Sequence, residues 1–395
     1  MSAPKILFVS HDASSTGAPY LLVSLIEWLV GQRAVEPIVV LAKGGPREEA
    51  FRRLAPVLDV DVGNTRGWRA LLALARRTSW RLHRSLSYVG LREFARGRAT
   101  SLIYSNTITN GHLLAALSEL RLPVITHVHE LASMIKRSEE DGSLAHTLRL
   151  TSRYIAVSEA VKRDLMTHCH VPADKIDVVR NFLPLGQRQE ISEDQARAKV
   201  RRELGLLFDD VLLVGCGTTR PIKGPDLFID VAAQVTAKSV GGRPVHFVWV
   251  GGENSGPEYA QLARRLADRG VSHCVHFMGH RADYLEFLAA ADVFLMCSRE
   301  DPAPLVVFEA ASVGVPSICF LGAGGAPEFV RDDAGVCVPN ADTAMMAGAA
   351  VRLINSRDLR HRLGRCARDR VRSEHVPAVG AAHILATIRM MLQHS

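Results

Sequence analysis

The sequence predicts an α/β protein of two doubly wound domains, each built on a parallel sheet, and three observations predict it. Apolar runs such as KILFV at 5–9 and VLLVG at 211–215 are continuous where a half-buried strand would alternate, as a strand covered on both faces must be. Helical patterns stand between such runs along the whole chain. The alternation occurs twice, on either side of the polar, charged stretch 185–210, and 395 residues allow two to three domains at about 150 residues each.

In chain order the first half reads as strand 5–9, helix 18–31, strands 37–41 and 102–104, helix 111–119, strands 123–128 and 154–157, helix 158–168 and strand 176–179. The second reads as strand 211–215, helix 225–238, strand 245–250, helix 258–269, strands 275–278 and 292–296, helix 304–313, and strands 316–320 and 335–338. Pro304 suits the first turn of its helix, Gly314 ends it, and Pro316 opens the next strand. The stretches 342–354, 357–371 and 378–393 then follow as helices with no strand between them. The expected domains are 1–184 and 211–375, with a linker at 185–210 and a last helix at 376–395.

With 47% hydrophobic and 23% charged residues, the composition excludes disordered, collagen-like and disulfide-scaffold chains. The run Ile6-Leu7-Phe8-Val9 is too short for a signal sequence, whose apolar part is about 7–15 residues. The longest uncharged stretches, 99–118 and 310–327, are broken by Asn and Thr or by Gly and Pro, so no membrane span is expected. Seven cysteines, an odd number without a C-x-x-C pair, fit buried thiols in a reducing cytosol. His168-Cys169-His170 lacks a second ligand pair at metal-site spacing, so no metal is expected.

The net charge of +7 is uneven: residues 66–98 hold nine arginines, among them Arg69, Arg76, Arg77, Arg81 and Arg84, against the single acid Glu93. Apolar residues recur there at mostly helical spacing. An amphipathic helix of this kind can lie on an anionic membrane surface, at about 1 kcal/mol per basic residue. The alternatives are a solvated face whose apolar side joins the domain core, and a groove for nucleic acid.

Ligands of open α/β sheets bind beyond the carboxyl ends of the strands, so the loops there carry the chemistry. After strand 5–9, Gly17 and Ala18 open a helix whose amides can approach an anion, with His11 and Asp12 nearby in the sequence. No G-x-G-x-x-G fingerprint follows this strand, which disfavours a nicotinamide oxidoreductase. The loop GCGTTRPIKGPD places Arg220 and Lys223 between a strand and a helix, two cations suited to a diphosphate, and it lacks the Walker pattern. In SREDPAPLVVFEAASVGVPSICF, Asp301 and Glu309 are separated by seven residues. A carboxylate at Glu309 can accept from vicinal hydroxyls such as those of ribose, and the amides of Leu305 and Val306 can face phosphate.

That last segment resembles the Glu-x7-Glu signature of glycosyltransferase family 4, with Asp301 at the first acid and Glu309 at the second. GTTRPIKGPDLFI looks like the family's donor-phosphate loop, VHFVWVGG and VHFMGHRADYLEFLAAADVFLMCS like its nucleotide-binding strands, and GGAPEFVRDDAGVCV like the loop that follows. In the first half AVSEAVKRDL and VVRNFLP are similar to its end-of-domain motifs, and ITHVHELA to its acceptor-side histidine strand. The resemblance implies a GT-B architecture, two Rossmann-like domains facing across a cleft with the last helix crossing back to the first domain. It also implies retaining transfer from a nucleoside-diphosphate sugar with no metal or other cofactor. Carried over, Glu309 holds the ribose, Lys223 and Arg220 the diphosphate, and Asp301 the donor sugar, while backbone near Gly251, His280 and Arg281 meets the base. His129 is placed beside the anomeric centre, with His127, Asp12 and His11 as competitors. The chain departs from the family pattern in Asp for the first Glu, in Pro302, Ala303 and Pro304 for its glycines, and in Thr218 for its phosphate-loop Arg.

The expected protein is therefore a cytoplasmic transferase, peripheral at the inner face of the membrane, acting on a glycan or lipid-linked acceptor in cell-surface polysaccharide synthesis. Its rivals are a nucleotide-sugar epimerase or hydrolase of the same fold, and a non-catalytic nucleotide- or nucleic-acid-binding module.

Overall fold

The computed structural model describes residues 3–61, 72, 75, 79–183, 192–207, 209–238 and 242–393. The chain divides into two compact units, Met1–Leu185 with Pro377–Ser395, and Gly186–Val376.

The first unit holds seven parallel strands, β1 (Lys5–Ser10), β2 (Glu36–Leu41), β3 (Val57–Asp59), β4 (Leu102–Ser105), β5 (Val124–Val128), β6 (Arg153–Ala156) and β7 (Ile176–Val178). Their spatial order is β3-β2-β1-β4-β5-β6-β7, with Phe8 of β1 opposite Val39 on one side and Tyr104 on the other. β1 is apolar at every central position because both faces are covered. Ile6 and Phe8 pack with Leu21, Leu25 and the last helix, whereas Leu7 and Val9 pack with Leu91, Phe94, Leu113 and Leu117. That last helix, Pro377–Gln393, buries Ala381, Ile384, Leu385 and Ile388 in this unit. Although the helical stretch 357–393 contains a window long and apolar enough to cross a membrane, these side chains make it a core element.

The second unit holds β8 (Val211–Cys216), β9 (Val245–Val250), β10 (Val275–Phe277), β11 (Val293–Met296), β12 (Ser317–Phe320) and β13 (Gly335–Val338), all parallel, in the order β10-β9-β8-β11-β12-β13. One core runs along its sheet from Leu213 and Trp249 through Phe228, Leu295 and Phe320 to Met346 and Leu353.

The stretch expected as linker differs from that reading. A helix, Glu193–Leu204, starts on Ser192, whose hydroxyl accepts from the Gln195 amide, and ends at Gly205 with φ 67°. It belongs to the second unit because Asp292, at the foot of β11, gathers Arg197 at 3.3 Å, Arg201 at 3.7 Å and Arg360 at 3.6 Å, and accepts the Leu212 amide at 2.9 Å. A carboxylate this buried needs such partners. Polarity there marks a buttress held by ion pairs, not a free connector.

Within the arginine-rich segment, Arg69, Arg76 and Arg77 lie outside the described residues, as do the side chains of Arg81 and Arg84. The helix Trp80–Arg96 buries Leu91, Phe94 and Ala95, and its last turns are tied to the protein by Arg92 and Arg96, both paired with Glu119 at 2.9 and 2.7 Å.

Candidate active site

In the second unit the strand order reverses between β8 and β11, the place where open α/β sheets take their ligands. The loops leaving those two strands meet there. Lys223, in the turn Pro221–Lys223 after β8, donates Nζ to Asp301 Oδ2 at 2.6 Å. Gly224 carries the chain from that turn into the helix Pro225–Thr236 with φ 70°, and a Cβ on it would stand 2.0 Å from the Cys297 carbonyl oxygen, so only glycine fits. Arg299 fastens the same two loops by donating to the Pro221 carbonyl at 2.6 Å and to both Asp226 oxygens at 2.8 and 2.7 Å. Asp301 is joined in turn to the loop after β12, its amide donating to Ala323 O at 2.7 Å and its carbonyl accepting from Gly325 at 3.1 Å.

Beyond Pro304 the helix Leu305–Ser312 carries Leu305 and Val306 in its first turn and Glu309 one turn further in. Glu309 is 5% exposed, and its Oε1 accepts the Tyr284 hydroxyl at 2.8 Å. The Cys216 thiol beside it is pushed up to about 12 by burial and then by the charge of Glu309, so it stays protonated and is no nucleophile at neutral pH. Gly251, at φ 106°, donates its amide to Gly279 O at 2.8 Å, and a Cβ there would stand 2.6 Å from Gly217 O, which brings the loops after β8, β9 and β10 together.

His280 is exposed on that rim. Arg281 is fastened by its own side chain, which donates to both oxygens of Asp283 at 2.8 and 3.0 Å and of Glu203 at 2.7 and 3.1 Å. Arg220 is exposed at the start of the turn Pro221–Lys223, where its carbonyl accepts the Lys223 amide at 2.9 Å. Among the described residues no contact joins its guanidinium to Lys223 or Asp301.

The first unit reverses its strand order between β1 and β4. There Asp12 Oδ1 accepts the Ser14 amide at 3.0 Å, and the helix Gly17–Gly31 opens at Gly17 with no side chain capping its first turn. Asn106, after β4, donates to Ala18 O at 2.9 Å and sets its Oδ1 3.3 Å from His129 Nε2. Glu130 holds the loop from beneath: its Oε2 accepts the amides of His129 at 3.0 Å and Ile108 at 3.2 Å, and its Oε1 the Thr107 hydroxyl. Geometry separates the two histidines that the sequence leaves as competitors. His127 is 2% exposed and bonded through Nδ1 to the Tyr104 hydroxyl at 2.7 Å, whereas His129, its ring centroid 4.1 Å away, is only partly buried. Burial holds His127 down at about 3, and burial followed by His127 and His11 holds His129 well below the ordinary histidine value. Burial also lowers His11, against the opposing charge of Asp12. All three are neutral near pH 7, so they act as hydrogen-bonding groups and not as cations.

Tyr284, Arg299, Asn106 and Glu130 were not found from the sequence. Glu130 directly follows His129 and could have been found from that adjacency, but Tyr284 lies 25 residues before Glu309 with no pattern linking them. Among the described residues no group of three or more His, Cys, Asp or Glu is placed to hold a metal ion.

Two family models match this chain, "Glycosyltransferase Family 4" over residues 16–187 and "Glycosyl transferases group 1" over 209–356, one on each unit and together most of the sequence. The chain belongs to the family-4 glycosyltransferases, and its two parallel α/β units are those of the GT-B fold. It is similar to the D-inositol 3-phosphate glycosyltransferases of Acidothermus cellulolyticus, at 28% identity over 59% of this chain and 55% of that one, and of Corynebacterium efficiens, at 25% over 72% and 70%. The chain thus spans little more than half the length of the first of these relatives. Its fold is like that of Anabaena HepE, solved with UDP and glucose, at a TM-score of 0.79 and 21% identity over 99% of each chain. It is also like that of Thermosynechococcus elongatus sucrose-phosphate synthase, at 0.76 and 17% over 99% of this chain and 100% of that one.

Proposed function

We propose that this protein is a retaining glycosyltransferase that moves a sugar from a nucleoside-diphosphate donor to a hydroxyl acceptor without a metal. The observation that carries the proposal is the assembly of Lys223, Asp301 and Glu309 at the strand-order reversal of the second sheet. Lys223 has three donors, so it can keep Asp301 while meeting the diphosphate. The amino-terminal amides of the helix Leu305–Ser312 add positive potential for the same phosphates. Fixed cations and amides stabilise the charge that builds on the leaving oxygen without reorganising. Glu309 takes the ribose hydroxyls, Asp301 the hydroxyls of the donor sugar, and Arg220 bends over the phosphates from the rim. Backbone at Gly251, His280 and Arg281 meets the base. Neutral His129 hydrogen-bonds the transferring sugar, and the departing phosphate takes the acceptor's proton as the new bond forms on the face it leaves.

The acceptor is a glycan or lipid-linked glycan of cell-surface polysaccharide synthesis, reached at the inner face of the membrane by a cytoplasmic enzyme. The charge of residues 66–98 supports that siting, and co-sedimentation with vesicles tests it: equal binding to neutral and anionic vesicles overturns the electrostatic docking. For turnover, the structural neighbour's UDP and the relatives' inositol phosphate name the first probes. Incubation with α-linked UDP and GDP sugars, with D-inositol 3-phosphate and with lipid-linked glycan acceptors, followed by proton NMR, is expected to give an α-anomeric product. A β-anomeric product, or no transfer from any donor, overturns the proposal.

A further inference from the structure

Glu309 does not stand alone in its pocket. Its Oε1 accepts the phenol of Tyr284 at 2.8 Å, and Tyr284 is the first residue of the helix Tyr284–Ala290. The turn before that helix is fastened by two cations. Arg281 grips Asp283 and Glu203 with its whole guanidinium, and Lys199 reaches Asp283 at 3.1 Å and Glu286 at 2.6 Å. The Asp283 carboxyl is drawn below the ordinary range, first by Arg281 and also by Lys199, as expected of a carboxylate held by two cations. Glu203 and Lys199 both lie on the helix Glu193–Leu204, which Asp292 anchors to the foot of the sheet. A continuous chain of fixed groups thus runs from that helix through Arg281 and Asp283 to the Tyr284 hydroxyl, and ends on one oxygen of Glu309.

We infer that Tyr284 is a positioning residue for the ribose site: by holding Oε1 it fixes the carboxylate plane of Glu309, so that the acid can accept from both vicinal hydroxyls of a ribonucleoside diphosphate and discriminate against the 2′-deoxy form. The inference rests on the reading of Glu309 as the ribose acid. A carboxylate on a two-bond stem rotates about its terminal torsion with little preference, and a phenol bonded to one oxygen removes that freedom. Sites built to bond a hydroxyl reject the analogue that lacks it because a buried polar group is then left unmatched, and the rejection is sharpest where the group cannot turn away. Glu309 is buried inside a helix, which is where such a constraint acts.

The test is calorimetric titration with UDP, GDP and ADP, each paired with its 2′-deoxy counterpart, of the wild-type protein, Tyr284→Phe, Tyr284→Leu, Glu309→Gln and the double variant Tyr284→Phe/Glu309→Gln. The quantity read is the ratio of the two dissociation constants within each protein, which is independent of how much of a variant is folded. The wild type is expected to favour the ribose form by tenfold or more. Tyr284→Phe and Tyr284→Leu should each cut that ratio at least threefold, Glu309→Gln should bring it close to one, and the double variant should match Glu309→Gln alone. A wild-type ratio in both Tyr284 variants, with the ratio lost in Glu309→Gln, overturns the inference and leaves the ribose assignment standing. A wild-type ratio in Glu309→Gln, or no binding of any of the three diphosphates by the wild type, overturns the assignment and the inference with it.

Discussion

The neutral histidines, and above all the buried His127, are a feature of the first unit that pH can reach. His127 takes a proton in the folded protein only near 3, against an ordinary 6.5, so the unfolded chain binds that proton far more readily. The stability this contributes is complete above about 6.5 and is lost as pH falls toward 3; between pH 7 and 5 the loss is about 2 kcal/mol. Glu130 runs the other way. Burial raises it from 4.5 to about 6, so its contribution is complete below 4.5 and disappears as pH rises through 6, which offsets about 1 kcal/mol over the same interval. Replacing His127 by Gln removes the first effect and keeps the second. Urea unfolding of the first unit at pH 7 and pH 5 should therefore show His127→Gln losing about 2 kcal/mol less than the wild type, and an identical loss in both would contradict the burial argument.

The elements legible in the sequence were those whose apolar content follows directly from burial. β1, β8 and β12 are buried on both faces, and a run with no polar residue inside it records that directly. The helix Leu305–Ser312 was legible from Pro304, Gly314 and the acid within it. What escaped was short or held by charge. β3 is three residues long, and the helices Ala132–Glu140 and Ser143–Leu150 are largely polar, with only Ile135, Ser138, Ser143, Leu144 and Thr147 buried, so neither period stands out. The helix Glu193–Leu204 escaped for the opposite reason to a core strand, because its packing is done by Arg197 and Arg201 on Asp292, and a charged stretch reads as solvent-facing when its partner lies 95 residues away. The same distance problem hid Tyr284 and Arg299. The resemblance located Lys223, Asp301 and Glu309, but what each of them touches depends on loops that only the fold brings together. It also placed Arg281 near the base without revealing that its side chain is spent on Asp283 and Glu203.

Each half of the molecule repeats one architectural solution, a parallel sheet whose strand order reverses once and whose polar groups collect at the reversal. In the first unit these are neutral histidines and amides, suited to hydroxyls; in the second they are a lysine, two carboxylates and a helix terminus, suited to a nucleoside diphosphate. The assignment of donor chemistry to the second unit is the claim on which the rest depends. It is tested most directly by thermal shift and titration with UDP, GDP, ADP, CMP and dTDP at about 1 mM on the wild type, Lys223→Ala and Glu309→Gln, since a ligand at 100 times its dissociation constant adds about 2.7 kcal/mol. The account predicts selective stabilisation by one of the ribonucleoside diphosphates, weakened about tenfold to over a hundredfold in each variant, as the loss of a charge-assisted hydrogen bond of about 1.5–3 kcal/mol requires. No stabilisation by UDP, GDP or ADP, or binding by both variants as tight as by the wild type, would contradict it.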